Sequence, residues 1–206
     1  MIAGLIAALL GALFFAAAGY LGVLLGNAFA DRTAALEGGP PPQQQPLLLL
    51  IGACGAIGML VTPHAVSQAQ LLLIALVCVS LVAIWVTDAR RGIVPDVFTL
   101  GPLAIMLVVA LWQHQWVLFI SAAAPFVPFA IAALLSRGRG MGWGDVKLVA
   151  LGGAVLGAQV SILAFALACL AAVGINYARG RKRGVIAFAP YLATAIGVAI
   201  PLGMWR

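Results

Sequence analysis

Residues 148–178 read LVALGGAVLGAQVSILAFALACLAAVGINYA, a run of 31 residues without one charged side chain. A helix that crosses a bilayer needs about 20 mostly apolar residues. The run is therefore either one long, tilted helix or two short helices that turn near Gly157-Ala158-Gln159. The choice sets the number of membrane crossings, and with it the side of the membrane on which the neighbouring charges lie.

The placement of the basic residues decides between the two arrangements. Ten of the 11 Lys and Arg residues lie in four loops, 31–37, 88–96, 137–147 and 179–183. With two helices, all four loops face one side and Arg206 alone lies opposite, whereas one helix divides the basic residues 6 to 5. Basic loops stay on the cytoplasmic side of a membrane. The distribution therefore predicts two short helices, about eight transmembrane helices in all, and both termini outside.

The composition excludes a water-soluble globular domain. Hydrophobic residues make up 65% of the chain and charged residues only 8%, against about a quarter charged in a typical soluble domain. A disordered chain needs low hydrophobicity, and a transmembrane barrel would show short alternating segments instead of continuous apolar runs. We predict an all-α, polytopic membrane protein, embedded in the lipid bilayer, with residues 1–206 forming a single membrane domain.

Segments that break helices give the order of the spans. Residues 1–30 are the first span, and residues 31–46 (DRTAALEGGPPPQQQP) are predicted to be a short cytoplasmic loop rich in Pro and Gln. The remaining spans lie within residues 47–206. Thr62-Pro63-His64 and Gln113-His114-Gln115 each separate two of them, because proline and clustered polar residues end apolar helices.

The sequence offers no metal or nucleotide motif. Its three cysteines lie apart inside apolar runs without a CxxC pair, which gives no zinc or disulfide framework. The glycines between positions 138 and 144 alternate with other residues, so they do not form GxGxxG, and GxxxxGK[ST] does not occur. The net charge of +6 follows from the basic cytoplasmic loops. We expect no nucleic acid partner, no cofactor and no metal.

All five acidic residues lie in the predicted cytoplasmic loops. Asp31 and Glu37 belong to the polar loop and are expected to be solvated there. Asp96 directly precedes an apolar run, where its carboxylate is expected to cap the free N–H groups of the first helical turn. Asp145, which follows Gly144, has the same option.

Asp88 lacks such a role, because it ends the run LVAIWVT and a helix C-terminus disfavours negative charge. An ion pair with Arg90, Arg91 or Lys147 is its structural alternative. Acids at the ends of membrane spans are otherwise candidates for function. Two carboxylates that share a proton titrate as a pair, so one activates a water while the other polarises a carbonyl. Asp88 and Asp145 therefore point to aspartic peptide hydrolysis, which needs neither a metal nor a covalent intermediate.

The glycines beside Asp145 fit the same chemistry. Gly142 and Gly144 permit backbone conformations closed to other residues and allow a second backbone to approach closely. They would let an extended substrate segment lie against this loop. A flexible cytoplasmic turn is the alternative.

These motifs together resemble a known family. Gly142-Trp143-Gly144-Asp145 is a GxGD motif followed by Val146-Lys147, and DARRGIVPD begins 57 residues upstream at Asp88. The pairing resembles the type IV prepilin peptidases, the membrane aspartic leader peptidases. Ile186-Ala187-Phe188-Ala189-Pro190-Tyr191 looks like the PFxPF-type element of that family. The resemblance implies that Asp88 and Asp145 are the catalytic aspartates.

The resemblance also assigns supporting roles and a substrate. It implies that Asp96 is a recurrent, non-catalytic acid and that Lys147 orients the carboxylates or the substrate. It implies an inner-membrane hydrolase whose active site faces the cytoplasm. The expected substrates are prepilins or pseudopilins of pili and secretion systems, cut between a basic leader and a hydrophobic helix, usually after glycine.

Two alternatives remain open. Many bacterial members of the family have a long first loop with two zinc-binding CxxC pairs, and they N-methylate the new amino terminus with S-adenosylmethionine. The corresponding loop here is short and free of cysteine, so a peptidase-only enzyme is expected and a bifunctional peptidase/N-methyltransferase is the first alternative. The second is a non-catalytic transport or assembly subunit that uses the acids as ion sites. Transporters usually place such groups at mid-membrane, whereas these acids lie at one face.

Overall fold

The computed structural model describes residues 2–37, 47–135, 141–178 and 188–202, and eight α-helices make up most of these ranges. Their bounds are α1 Ile2–Glu37, α2 Leu47–Val61, α3 Gln68–Arg91, α4 Asp96–Trp112, α5 Trp116–Leu135, α6 Trp143–Leu156, α7 Ala158–Ala178 and α8 Ala189–Ala199. Single 3-10 turns follow α2 (Thr62–His64) and α8 (Ile200–Leu202). No strand occurs in these ranges, so the predicted all-α class is confirmed for them.

The helix breaks fall where local sequence predicts them. Pro63 lies in the turn between α2 and α3, and the hydroxyl of Ser67 accepts a hydrogen bond from the N–H of Gln70 at the start of α3. The run 148–178 consists of two helices, as predicted from the charges. Gly157 separates them with φ +79°, a backbone conformation that side-chain-bearing residues rarely adopt.

The prediction of a loop over residues 31–46 is wrong for residues 31–37. Helix α1 continues without a break to Glu37, so residues 31–37 are helical. The physical reason is that neither glycine nor proline occurs between Asn27 and Gly38, and alanine, leucine and glutamate are good helix formers. The polar composition of this segment marks the end of the apolar part of the helix and not the end of the helix itself. Residues 38–46 lie outside the described part.

The chain packs as two compact units, residues 1–93 and 94–206. The single membrane domain therefore stays a prediction. In the first unit α1 contacts both α2 and α3. Gly19 of α1 faces Cys54 of α2, while Gly22 and Gly26 face the backbone of α3 at Val79 and Ala83. Small residues let helix backbones approach closely in membranes.

The same contacts give the directions of these helices. Gly11 of α1 lies against Gly58 and Gly19 against Cys54, so α1 and α2 are antiparallel. Along α3 the residue numbers of the contacts increase together with those of α1. Gly22 lies against Val79 and Gly26 against Ala83, so α1 and α3 are parallel. The charged ends of α1 and α3 thus lie at the same end of this unit. The prediction that the basic segments face one side of the membrane requires this arrangement.

Helix α6 forms the centre of the second unit and contacts α4, α5, α7 and α8. Gly153 lies against the backbone carbonyl of Ser121 and the ring of Pro125 in α5. Gly152 lies against Phe165 of α7 and Ile196 of α8. These two adjacent glycines point in different directions, so helices pack closely against α6 on more than one side.

Five of the described helical segments are long and apolar enough to cross a membrane. They are Gly4–Ala35, Leu47–His64, Gln68–Arg91, Trp116–Leu135 and Ala158–Ala178. Helices α4 and α8 are shorter apolar helices, and α6, with 14 residues, measures about 21 Å at roughly 1.5 Å per residue. Eight membrane crossings and outward-facing termini therefore stay predictions.

Candidate active site

Asp88 lies in the last turn of α3 and is buried, with 7% of its surface exposed. The helix ends immediately beyond it, because Gly92 adopts φ +66° and donates its N–H to the carbonyl of Asp88 at 2.8 Å. Arg90 and Arg91 occupy the same turn, where positive charge stabilises a helix C-terminus. The sequence prediction that Asp88 stands at a helix end is confirmed.

Arg90 makes its contacts with α1. Its Nη1 donates a hydrogen bond to Oδ1 of Asn27 at 2.5 Å and lies 3.7 Å from Oδ1 of Asp31. The expectation that Asp31 is a solvated loop charge is wrong about the loop, because Asp31 belongs to α1. Its side chain is 61% exposed and lies near a cation of α3. Asn27 was not identified from the sequence. Its spacing of four residues before Asp31, on a helix with no breaker, was the signal available.

Asp145 stands at the third position of α6 and is 9% exposed. Its Oδ2 accepts a hydrogen bond from the N–H of Gly142, the residue that caps this helix, at 3.3 Å. This is the backbone cap that the sequence allowed for Asp145. Asp145 lies outside the five segments that qualify as membrane spans, and burial raises its pKa from 3.8 to about 6, against a smaller lowering by the Gly142 hydrogen bond.

Asp96 is the first residue of α4, but its carboxylate does not serve as the predicted backbone cap. Its Oδ1 instead accepts a hydrogen bond from Nζ of Lys147 at 2.6 Å. An ammonium donor within reach outcompetes a neutral N–H for a carboxylate, because charge-assisted hydrogen bonds are stronger. Lys147 therefore joins the start of α6 to the start of α4, which places both helix starts at one end of the second unit.

The two glycines of the GxGD motif differ from each other. Gly142 has φ −78° and ψ 150°, which any residue adopts, and a Cβ there would meet Oδ2 of Asp145 at 3.6 Å and the backbone nitrogen of Gly144 at 3.9 Å, both ordinary contacts. A Cβ on Gly144 would lie 2.6 Å from Cβ of Val94. Close approach is thus required at Gly144, but the approaching group is the Val94 side chain and not a second backbone.

The second unit brings together most of the predicted site residues, namely Asp96, Gly142, Gly144, Asp145 and Lys147. Asp88 belongs to the first unit. Within the described ranges no group of three or more His, Cys, Asp or Glu side chains is arranged to hold a metal ion. Of the element 186–191, residues 186 and 187 lie outside the described part, and Pro190 occupies the first turn of α8.

A comparison with protein families places the chain in a known family. The model of the type IV leader peptidase family matches residues 74–176, half of the chain. The chain belongs to the type IV leader peptidase family. No curated protein and no solved structure is significantly similar to it.

The region matched by the family spans the site residues that the sequence singled out. The family match includes all of them, from Asp88 to Lys147. Membership indicates a peptidase, which is a hydrolase, and the five apolar helices make this leader peptidase family member a membrane protein. The match excludes residues 1–73, so Asn27 and Asp31 lie outside it.

Replacing Asp145 by asparagine should stabilise this leader peptidase family member increasingly as the pH rises. The folded state keeps the proton of Asp145 up to about pH 6, whereas the unfolded state releases it near pH 4. The contribution of this group to stability is fully present below about pH 4 and is lost as the pH rises to about 6. The Tm advantage of Asp145→Asn over the parent should grow across that window and then stay constant.

The size of this effect is on the order of 3 kcal/mol, because the pKa rises from 3.8 to about 6 and one pKa unit corresponds to about 1.4 kcal/mol. The measurement is thermal unfolding in detergent micelles at a series of pH values. Glu37→Gln is the matched control for the loss of a carboxylate. A Tm difference that is the same at acidic and neutral pH would contradict the assignment.

The Asp96–Lys147 ion pair should contribute little to stability. The side chains are 60% and 29% exposed, and ion pairs in such positions contribute about 0–1 kcal/mol. We expect Asp96→Asn and Lys147→Gln each to lower Tm slightly and to reduce peptidase activity a few-fold at most. Activity and Tm measured side by side check this. Complete loss of activity in Asp96→Asn would mean that Asp96, and not Asp88, is the essential upstream acid.

Proposed function

We propose that this protein is an inner-membrane aspartic endopeptidase that cleaves the leaders of prepilins or pseudopilins at the cytoplasmic face. The observation that carries the proposal is that two buried carboxylates, Asp88 and Asp145, both lie within the matched family region. Buried acidic residues are unusual in proteins. Asp145 has a capping role, but Asp88 stands at the helix end that disfavours an anion.

In the proposed mechanism Asp88 and Asp145 share one proton and act on a single water. The ionised carboxylate removes a proton from the water, whose oxygen attacks the carbonyl carbon of the scissile peptide bond. The protonated carboxyl donates a hydrogen bond to the carbonyl oxygen and stabilises the negative charge that develops there. The tetrahedral intermediate then collapses, the C–N bond breaks, and the departing amine takes up a proton from the pair.

The raised pKa of Asp145 supports this division of labour. A carboxyl with a pKa of about 6 retains a proton at a higher pH than a solvated aspartic acid. Nearby like charge raises one pKa of such a pair further, so one proton remains bound near neutral pH. The two resulting pKa values belong to the pair and not to either residue.

The proposed orientation rests on the charged helix ends. The basic residues of the first unit that are described cluster at the ends of α1 and α3, and Lys147 stands at the start of α6. Such residues remain in the cytoplasm. A substrate helix would then enter from the bilayer with its basic leader at this face. Gly142, which is exposed, is the residue we propose to border the extended leader segment.

The decisive experiment is cleavage of a prepilin-type substrate by the purified protein in lipid nanodiscs. The substrate carries a basic leader, a glycine and a hydrophobic helix, and mass spectrometry identifies the bond that is cut. Cleavage after the glycine supports the proposal, and an uncut substrate contradicts it. Adding labelled S-adenosylmethionine to the same reaction separates a peptidase-only enzyme from the bifunctional alternative, because only the latter labels the new amino terminus.

A further inference from the structure

The last turn of α3 is held to α1 by one polar contact cluster. Arg90, with a side chain only 11% exposed, donates to Asn27 at 2.5 Å and lies 3.7 Å from Asp31, which is 61% exposed. Arg90 follows Asp88 by two residues, and residues two apart on a helix point roughly 200° from each other. Arg90 therefore fixes this turn from the α1 side, on the opposite flank of the helix from Asp88.

The apolar seam between α1 and α3 ends just before this cluster. Gly22 and Gly26 let the helix backbones approach at Val79 and Ala83, and a Cβ on Gly26 would lie 3.0 Å from Cβ of Val86. Beyond Val86, Asn27 and Asp31 of α1 contact Arg90 of α3. The side of α3 that faces α1 is thus held by close packing up to Val86 and by the Arg90 contacts at the helix end that contains Asp88.

The contact with Asn27 is the stronger of the two. This hydrogen bond is short and joins a charged donor to a neutral acceptor. It lies in a half-buried position, so water competes only weakly for the same donor and acceptor. Asp31 is exposed and its carboxylate is beyond hydrogen-bond distance of Arg90, so solvent screens most of that attraction. Asn27 should therefore dominate the anchoring, and Asp31 should modulate it.

We propose that Asn27 and Arg90 form a clamp. They are positioning residues that hold the last turn of α3, and with it the carboxylate of Asp88, in the orientation that catalysis needs. This inference rests on the proposed function of Asp88 as a catalytic acid. It assigns a catalytic consequence to α1, which lies outside the region matched by the family. Displacement of a catalytic group by about 1 Å lowers the rate about 100-fold. Loosening of this turn should therefore lower kcat.

The first test measures the turn itself and does not depend on peptidase activity. Hydrogen–deuterium exchange in nanodiscs reports on the amide of Gly92, which donates to the carbonyl of Asp88 at 2.8 Å. Asn27→Ala and Arg90→Gln should each accelerate exchange in the peptide that contains Gly92. Arg32→Gln is the matched control, because Arg32 is an exposed basic residue on the same part of α1. Unchanged exchange in both clamp variants would overturn the proposal.

The second test measures prepilin cleavage by the same variants. Asn27→Ala and Arg90→Gln should each lower kcat roughly 10- to 100-fold with KM little changed, because positioning acts on the chemical step. The double variant should be no slower than the slower single variant. Asn27→Asp keeps an acceptor for Arg90 and should retain activity near that of the parent, as should Arg32→Gln.

The two tests together separate failure of the clamp from failure of the proposed function. Faster exchange with a lower kcat, and rescue by Asn27→Asp, supports positioning. Faster exchange with an unchanged kcat overturns the proposal, since the contact would then be structural alone. If the parent does not cleave any prepilin, the proposed function fails. The catalytic role of the clamp then fails with it, whatever the exchange data show about the contact.

Discussion

Replacing either Asp88 or Asp145 by asparagine should abolish prepilin cleavage while leaving the protein inserted in the membrane. Asparagine has nearly the same shape as aspartate and can still accept the hydrogen bond that Gly142 donates to Asp145. It can neither take up nor release a proton, so no group remains to activate the water. General acid–base catalysis contributes about 10²–10⁴-fold to a rate, and a pair that shares one proton works only as a unit.

The unit behaviour gives this prediction a sharper form. The double variant should be no less active than either single variant, because groups that act together are strongly non-additive. Cleavage of a co-expressed prepilin, followed by gel mobility and mass spectrometry, measures the loss. Glu37→Gln makes the same isosteric change in an acid outside the family match and should cleave normally. Residual processing in either single variant would contradict a two-aspartate mechanism.

The second large effect concerns Gly153, which sets the distance between α5 and α6. Adding one methyl group in Gly153→Ala would place a carbon atom against the backbone carbonyl of Ser121 and the ring of Pro125. Backbone cannot move aside as a flexible side chain does, so the two helices must separate. Overpacking of this kind costs about 1–3 kcal/mol, and we expect a clear fall in Tm with weaker cleavage.

The matched control is the same substitution at a glycine with open surroundings. At Gly101 in α4 and Gly174 in α7, an added methyl group would have no neighbouring atom within 4 Å. Alanine is favoured over glycine inside helices by roughly 0.5–1 kcal/mol, so Gly101→Ala and Gly174→Ala should be neutral or stabilising. Thermal unfolding in the same detergent measures all three. Equal Tm values for Gly153→Ala and the controls would contradict the close packing of α5 and α6.

The helix order was predictable from proline and from the placement of charge. Pro63 interrupts an apolar run because proline ends helices, whereas the break in residues 148–178, which falls at Gly157, was predicted from the distribution of the basic residues over four loops. The segment 31–37 was predicted wrongly for a related reason. Its charges indicate that the chain leaves the apolar layer, but charge alone does not end a helix, and no breaker occurs before Gly38.

The sequence indicated candidate site residues but not all of their contacts. The motifs pointed to Asp88 and Asp145, and a family match over residues 74–176 includes both. Capping was expected at Asp96 and merely allowed at Asp145, yet only Asp145 accepts an N–H from the backbone. The two acids differ because Asp96 accepts a hydrogen bond from a cation, Lys147. Lys147 is 51 residues away in the sequence, so this contact was not predictable from the sequence.

The sequence by itself determined that this is a helical membrane protein, where its helices break, and which family it belongs to. These follow from the scarcity of charge, from glycine and proline, and from short motifs, all of which act within a few residues along the chain. Only the tertiary structure decided that Arg90 turns to Asn27, that Lys147 turns to Asp96, and that Val94 fills the space at Gly144. Those contacts depend on which helices become neighbours, because hydrogen bonds and packing contacts form between groups that are close in space, whatever their distance in the sequence.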